Sequence, residues 1–171
     1  KGNIQYAIIR KNPALSAPSG SNDPRGIEAN SSDEEYVPET EGALANITLI
    51  GAFMSGGEPA MRLRGSLTAS VYNTVAYGFE HCVRIDDSSN VMPEDPADAL
   101  SDVTLNNVIG NCGDLNADEF YRGTREADAG SNIGNDADVA FDAAAALTNA
   151  SATVTQMDFA EVDNGSGFAF D

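Results

Sequence analysis

An imperfect internal repeat is the feature of this sequence that most restricts its fold. Four segments begin with asparagine and continue with β-forming residues; they start at Asn3, Asn46, Asn73 and Asn106. Short segments that alternate apolar and polar residues lie between them, at 26–29, 60–64 and 82–86. Strict alternation is typical of a strand with one buried face. Because the two sets alternate in a fixed order, the sequence predicts stacked repeats of short strands.

The repeat predicts an all-β fold: a right-handed parallel β-helix (a β-solenoid) with irregular loops and a C-terminal cap. The interval from Met61 to Val83, two equivalent positions, is about one turn of such a solenoid. Longer intervals need only loop insertions, and the intervening stretches are rich in Ser, Pro, Gly, Asp and Glu. One turn cannot bury its own apolar face, whereas stacked turns can.

The regular pattern ends near Cys112. Residues 1–112 are therefore predicted to form the coils, and residues 113–171 a distorted last coil and capping region of the same domain. Within the second part, consecutive alanines predict a short helix at 136–149. Alternation predicts a further strand at 152–157.

The asparagines that begin the first set of segments are predicted to form a ladder. Stacking places equivalent side chains about 4.8 Å apart, so each amide can bond to the next. The predicted ladder residues are Asn3, Asn46, Asn73 and Asn106. The alternative is that asparagine is simply common at turns.

The two cysteines, Cys82 and Cys112, fit the same register. The position equivalent to Cys112 one turn earlier is Phe79, which lies close to Cys82 in the sequence. Neighbouring turns therefore bring the two sulfur atoms within reach of each other. We predict a Cys82–Cys112 disulfide, with a pair of buried thiols as the alternative.

The charge of the chain excludes two classes of partner. The net charge is −18, from 27 acidic and 9 basic residues. A surface this negative repels nucleic acid and anionic membranes. No window approaches the length of apolar sequence that spans a bilayer, so no transmembrane segment is predicted.

Several segments, in their order along the chain, resemble bacterial surface lipoproteins with right-handed β-helix repeats. The segments are 2–10, 25–30, 43–51, 60–65, 71–79 and 82–87. The resemblance implies an exported protein of a Gram-negative bacterium. It would be extracellular or lie at the cell surface in association with the outer membrane. It also implies further coils of the same full-length chain before Lys1, and a lipidated cysteine near the true N-terminus. The family has no settled activity.

Few residues are candidates for catalysis. Arg62, Arg64 and Arg84 stand on equivalent predicted strands. Arg62 and Arg84 occupy matching places, with Asp86 close by and Glu28 at the matching place one coil earlier. Lyases of the β-helix fold combine such a base with carboxylate-bound Ca²⁺ on an exposed sheet. The alternative is an ordinary solvated face in which Glu28 offsets Arg62. His81 is the only histidine, and no nucleophile elbow surrounds a serine, so no catalytic triad is predicted.

Calcium is the metal that the acidic loops favour. The candidate ligands are Asp114, Asn116 and Asp118 in one loop, and Asn135, Asp136 and Asp138 in another. The first loop begins like an EF-hand, but Glu119 and Arg125 replace the required glycine and glutamate. Only a looser Ca²⁺ site is therefore predicted, and the alternative is a solvated acidic loop.

Two functions are consistent with these features. We favour a non-enzymatic cell-surface or extracellular module with a structural, adhesive or binding role, and with no cofactor or with Ca²⁺ alone. Solenoids are stiff and their loops vary freely, which suits the binding of a glycan or of another surface protein. The alternative is a polysaccharide-active, lyase-like enzyme assisted by Ca²⁺, with its site at Arg62, Arg84 and Asp86.

Overall fold

The computed structural model describes residues 2–11, 25–31, 39–51, 59–86, 101–113, 120–123, 127–136 and 138–139. The chain divides into two compact units, Lys1–Ala140 and Phe141–Asp171, and all of the described residues belong to the first. These residues form ten strands and no helix. Within them, therefore, no helix has the length and apolar character needed to cross a membrane.

The strands form two parallel sheets. The larger sheet contains, in spatial order, β1 (Gly2–Arg10), β3 (Glu41–Ile50), β5 (Thr68–Tyr77), β7 (Asp102–Asn111) and β10 (Ile133–Asn135), and β9 (Asp128–Ala129) also pairs with β7. The smaller sheet contains β2 (Ile27–Asn30), β4 (Met61–Arg64), β6 (Val83–Asp86) and β8 (Tyr121–Gly123). From β1 to β8, successive strands alternate between the sheets. The predicted all-β class, with parallel strand pairing, is confirmed for this part of the chain.

The smaller sheet follows the predicted register. Met61 pairs with Ile27 on one side and with Val83 on the other. In β4 the apolar residues Met61 and Leu63 are 0% exposed, whereas the arginines between them are partly exposed. Because neighbouring side chains of a strand point to opposite faces, the arginines project away from the core.

The core lies between the two sheets. The larger sheet contributes Leu49, Val71 and Leu105, and the smaller sheet contributes Leu63 and Ile85; all five are fully buried. Burial of such side chains is worth about 25 cal/mol per Å² of apolar surface, and it is the main favourable contribution to folding. Each sheet therefore depends on the other for its stability.

Each long strand of the larger sheet contains one residue in the left-handed backbone conformation. The φ angle is 57° at Tyr6, 56° at Asn46, 44° at Asn73 and 53° at Asn107. Asn132, which directly precedes β10, has the same conformation, with φ of 53°. Asparagine tolerates this region better than other residues with a side chain.

The left-handed residue shifts the alternation of each strand. Leu105 and Val108 both belong to the core, although strict alternation places residues three positions apart on opposite faces. Asn107 lies between them and turns the backbone so that Val108 faces inward again. Polar and apolar residues therefore do not alternate along the whole of β7.

The left-handed asparagines form a hydrogen-bonded ladder across the larger sheet. Nδ2 of Asn73 donates to Oδ1 of Asn46 at 3.3 Å, and Nδ2 of Asn107 donates to Oδ1 of Asn73 at 3.2 Å. Nδ2 of Asn132 continues the series by donating to Oδ1 of Asn107 at 2.8 Å. Each of these side-chain bonds therefore links one repeat of the sheet to the next.

Two residues of the predicted ladder lie outside it. Asn3 pairs with Ala43, and Asn106 pairs with Tyr72. The prediction placed the ladder residue at the start of a strand, whereas it lies in the middle of a long one. The ladder residue of β7 is Asn107, the neighbour of Asn106. In β1 the equivalent position holds Tyr6, whose side chain has no amide group.

Cys82 and Cys112 form a disulfide with an S–S distance of 2.04 Å and a Cα–Cα distance of 5.5 Å. Cys82 directly precedes β6 of the smaller sheet, and Cys112 directly follows β7 of the larger sheet. Both residues are buried in the core. The bond therefore links the two sheets covalently.

Gly110 provides the space that the disulfide needs. A Cβ atom at this position would overlap Sγ of Cys82 and would lie 2.8 Å from the carbonyl oxygen of Ala76. We expect Gly110→Ala to lower the free energy of unfolding by about 1–3 kcal/mol, as overpacking of a core does. Urea denaturation measures the change, with Gly2→Ala as the control, because a Cβ at Gly2 would meet no atom within 4 Å. Equal losses in the two variants would contradict the expectation.

The sheets continue beyond the predicted boundary at Cys112. β8 pairs with β6, and β9 and β10 pair with β7. The predicted helix at 136–149 lies outside the described residues except at 136, 138 and 139, and the predicted strand at 152–157 lies wholly outside them. The assignment of 113–171 to a distorted last coil and cap stays a prediction.

Candidate functional site

Arginine side chains are concentrated on the outer face of the smaller sheet. Arg62 and Arg64 of β4 and Arg84 of β6 alternate with buried apolar residues. The backbone of Arg122 in β8 pairs with Arg84 and so continues the same register. The whole chain has 9 basic residues and a net charge of −18, so three arginines on two adjacent short strands are a marked local excess of positive charge. We call the set Arg62, Arg64, Arg84 and Asp86 the arginine face.

The side chains of the arginine face stand in two columns that run across the strands. The first column contains Glu28, Arg62 and Arg84. The second contains Asn30, Arg64 and Asp86. Neighbouring positions in a column are about 4.8 Å apart, because that is the spacing of strands in a sheet. The predicted strip of Glu28, Arg62 and Arg84 therefore exists as a column of paired backbone positions.

Asp86 accepts hydrogen bonds from two of the arginines. Nε of Arg84 lies 2.8 Å from Oδ2 and 3.2 Å from Oδ1 of Asp86. Nε of Arg62 lies 3.1 Å from the same Oδ2 atom. Both arginines use Nε for these bonds, and within the described residues their terminal nitrogen atoms bind no acceptor. One carboxylate therefore orients two guanidinium groups and neutralises only part of their charge.

Glu28 does not offset Arg62, contrary to the predicted alternative. Its Oε2 atom lies 2.7 Å from Nη1 of Arg25, three residues earlier in the chain. The Glu28 side chain is 42% exposed and that of Arg25 is 8% exposed, so solvent screens the pair from the side of Glu28. The partner of Arg62 is instead Asp86, on the opposite neighbouring strand.

Arg64 is the arginine whose hydrogen-bonding capacity is least used. Its Nε atom is buried and has no hydrogen-bond partner among the described residues. Its register neighbour Asp86 is bound to Arg62 and Arg84 instead. A buried donor without an acceptor costs about 1–3 kcal/mol.

The predicted calcium ligands are not gathered by the structure where it describes them. Asp136 Oδ1 accepts the backbone N–H of Asp138 at 2.9 Å, so these two residues form a local turn. The side-chain amide of Asn135 bonds the backbone N–H and carbonyl of Cys112. Across the described ranges, no three His, Cys, Asp or Glu side chains are grouped so that they could hold a metal ion. The other candidates, Asp114, Asn116 and Asp118, lie outside the described residues.

His81 and Cys82 lie in the buried region next to β6. His81 is 5% exposed, and the sulfur of Cys82 is bound in the disulfide. A disulfide sulfur is not a thiolate, so Cys82 cannot act as a nucleophile in this state. Neither residue belongs to the arginine face.

The bridging role of Asp86 is the part of the site that sequence reasoning missed. Arg64 was recognised beside Arg62, and the two share a face because they are two positions apart on a strand. The bridging by Asp86 had no signal in the sequence, because it depends on side-chain conformation. Asn107 and Asn132 were missed because the ladder was aligned on strand starts.

Comparisons with known proteins leave the family of the chain open. No family model, no curated protein and no solved structure matches the sequence.

Proposed function

We propose that the chain is a non-enzymatic, extracellular or cell-surface β-solenoid module that binds an anionic ligand through the arginine face. The observation that carries this proposal is the pair Arg62 and Arg84, held side by side by Asp86 on adjacent parallel strands. Their remaining donors face away from the core. A site of this kind recognises an anion by charge and by direction.

The solenoid part of the proposal is supported by the strand order. Strands β1 to β8 alternate between two parallel sheets, and the core lies between them. A right-handed parallel β-helix gives this order, because each turn adds one strand to each sheet. The asparagine ladder supports it further, since a ladder needs equivalent residues stacked in register.

An extracellular location is supported by the buried Cys82–Cys112 disulfide. Such bonds form and persist in oxidising compartments and are rare in the reducing cytosol. Together with the resemblance to surface lipoproteins, this favours an exported protein of a Gram-negative bacterium.

Binding is favoured over catalysis by the chemistry of the guanidinium group. It stays charged across the physiological pH range, so it holds an anion well and exchanges protons poorly. The net charge of −18 opposes the approach of any anion from a distance, so the binding proposed here depends on contacts at the arginine face. Charges farther away than about 8 Å are largely screened at physiological ionic strength, so the local excess of arginine decides the outcome.

The first strands of both sheets present a second contact surface. Ile4, Tyr6 and Ile8 of β1 are 56%, 70% and 64% exposed. A cavity of about 440 Å³ opens beside them, with Ile27 and Leu44 among its walls. Among the described residues, β1 and β2 each pair on one side only, and an open edge of this kind is a template for pairing with a further strand. We propose that further coils of the full-length chain pair with β1 and β2.

Affinity electrophoresis tests the binding proposal. Native gels that contain polygalacturonate or dextran sulfate should slow the migration of the wild-type chain. The double variant Arg62→Ala/Arg84→Ala should raise the dissociation constant obtained from the retardation about tenfold or more, because it loses two charge-assisted contacts. Arg10→Ala is the matched control, since it removes the same type of charge from β1 of the larger sheet. Binding at the arginine face would be contradicted if Arg10→Ala weakened binding as much as Arg62→Ala/Arg84→Ala does, or if the gel did not retard the wild type.

The same Arg84–Asp86 pair favours the alternative of a Ca²⁺-assisted, lyase-like enzyme. Polygalacturonate incubated with the chain and Ca²⁺ distinguishes the two functions. Chain shortening that is lost in Arg84→Ala would replace the binding proposal with the enzyme. Polymer of unchanged length, together with retardation in the gel, supports the binding module.

A further inference from the structure

We infer that the coil which covers β1 and β2 is held by a hydrophobic contact at Tyr6, in place of the amide bonds that link the other long strands. This inference rests on the proposal that further coils of the full-length chain pair with these two strands, and it adds the chemistry of the contact. It follows from the open ends of both sheets, from the conformation and exposure of Tyr6, and from the direction of the ladder bonds.

Both sheets are open at the same end of the core. Among the described residues, β1 pairs only with β3, and β2 pairs only with β4. Ile4 continues the inward column of Leu44 and Val71, yet it is 56% exposed, whereas Val71 is fully buried. Ile4 and Leu44 line a cavity of about 440 Å³ at this end. The contact between successive coils is therefore interrupted at both sheets, and a coil with one strand for each sheet would continue it.

The charge at this end disfavours a second copy of the chain as the occupant. Glu28, Glu39 and Glu41 line the same cavity, and none of its described lining residues is a lysine or an arginine. Two copies joined here would bring both sets of carboxylates together, and each copy has a net charge of −18. A further coil of the same chain is therefore the favoured occupant.

Tyr6 occupies the ladder position of β1 in a conformation that is unfavourable for tyrosine. The pairing of β1 with β3 places Tyr6 beside Asn46. Its φ angle is 57°, and the residue is 70% exposed. A bulky residue in the left-handed region is an outlier, and such outliers persist where the surroundings or a function require them. Packing among the described residues leaves most of Tyr6 in solvent, so its role lies in a contact with the next coil.

The ladder bonds all run in one direction, toward β1. Nδ2 of Asn73 donates to Oδ1 of Asn46, and the other two bonds have the same direction. Within the described part of the chain, the amide of Asn46 donates no further bond, and Tyr6 has no amide to accept one. An asparagine in the covering coil would not extend the ladder, because Tyr6 stands between it and Asn46. Tyr6 and the exposed side chains of Ile4 and Ile8 offer a hydrophobic contact instead.

A chain extended by one coil of its own sequence tests this inference. Residues 68–86, followed by 65–67, are placed ahead of Lys1. The pairing of β1, β3 and β5 sets this order, so that the added strand lies in register with β1. Alanine replaces Cys82 in the added copy, so that no unpaired thiol is introduced. The added ladder position is that of Asn73, and it is varied.

We expect the added coil to pair with β1 when it carries Asn73→Phe. Pairing should raise the Tm by about 4 °C or more relative to the chain without the extension. It should also slow hydrogen exchange of the β1 amides at least about tenfold. Both effects are expected because the open edge of β1 gains a hydrogen-bonded strand and its exposed apolar side chains become buried.

A double-mutant cycle measures the contact at Tyr6. Asn73→Phe or Asn73→Ala in the added copy is combined with Tyr6 or with Tyr6→Ala, so that the conformational cost of each residue cancels. The two rings should couple by at least about 2 °C in Tm, as an aromatic pair does. Asparagine in the copy, compared with alanine in the same way, should couple less than half as strongly. Tyr72→Ala in β5 is the control, because Tyr72 lies two strands from β1 and should not couple.

The opposite outcomes would overturn different proposals. Coupling of asparagine to Tyr6 as strong as that of phenylalanine would overturn the hydrophobic contact, while coils would still cover this end. If no extended chain gained stability or slowed exchange in β1, covering by further coils would be refuted together with the role of Tyr6. A dimer of the chain without the extension, detected by sedimentation and slowing the same amides, would make a second copy the occupant. The gels that test the arginine face are independent of all these results.

Discussion

Replacement of Asn73 by alanine is expected to lower the free energy of unfolding by about 2–4 kcal/mol. Asn73 is 6% exposed and has a φ angle of 44°, which alanine adopts at a cost. Its side chain also bonds both neighbours in the ladder, so alanine removes the donor to Oδ1 of Asn46 and the acceptor of Nδ2 of Asn107. Urea denaturation followed by circular dichroism measures the loss.

Two further variants separate the causes. Asn73→Gly relieves the backbone cost but not the loss of the amide, so its stability should lie between those of the wild type and Asn73→Ala. Asn3→Ala is the control: Asn3 is exposed, has no role in the ladder and should change stability by less than about 0.5 kcal/mol. Similar losses for Asn3→Ala and Asn73→Ala would show that the ladder does not stabilise the sheet.

The contrast between Asn3 and Asn73 also shows where the sequence predicts the fold well. The short strands β4 and β6 alternate without interruption, so their buried faces and their register follow directly from the pattern. In β5 the left-handed Asn73 changes the alternation within the strand. A pattern search treats that change as the start of a strand. Two of the four ladder asparagines, Asn46 and Asn73, were therefore found, but their place in the strand and the other two members, Asn107 and Asn132, were not.

In the candidate site, too, the sequence predicts some features and not others. The alignment of Arg62 with Arg84 depends only on the repeat, and the sequence predicts it. The partner of Arg62 depends on side-chain geometry, because Glu28 and Asp86 lie on its two neighbouring strands and only Asp86 is bound. Glu28 and Asp86 carry the same charge, and each lies on a strand directly adjacent to that of Arg62. The repeat alone therefore could not select the carboxylate that orients the arginines.

Strand order and pairing follow from the repeat, whereas the finer architecture does not. The handedness of the coil and the form of the C-terminal cap stay predictions, because they depend on the connections between strands. These connections are long and of variable length, as between Ile50 and Ala60, and they contain little apolar pattern. Their polar composition predicts exposure to solvent but not their path.

Loss of the Cys82–Cys112 disulfide is expected to have the largest effect on stability. The cysteines are 30 residues apart, and in the chain-entropy model a closed loop of that size stabilises the folded state by about 3–4 kcal/mol. The double variant Cys82→Ala/Cys112→Ala should lose this amount, and reduction of the wild type should lose a similar amount. Urea denaturation measures both, and a mass increase of two hydrogen atoms on reduction verifies that the bond was present.

Gly110 provides an internal check on the same bond. In the wild type, an alanine at this position collides with Sγ of Cys82; in the double alanine variant that sulfur is absent. Gly110→Ala should therefore cost at least about 1 kcal/mol less in the double variant than in the wild type, and the difference is the coupling energy of a double-mutant cycle. The contact with the carbonyl oxygen of Ala76 remains in both backgrounds, so part of the loss should persist. Strictly additive losses would show that Gly110 is required by the backbone of β5 alone and that the disulfide does not occupy the space above it.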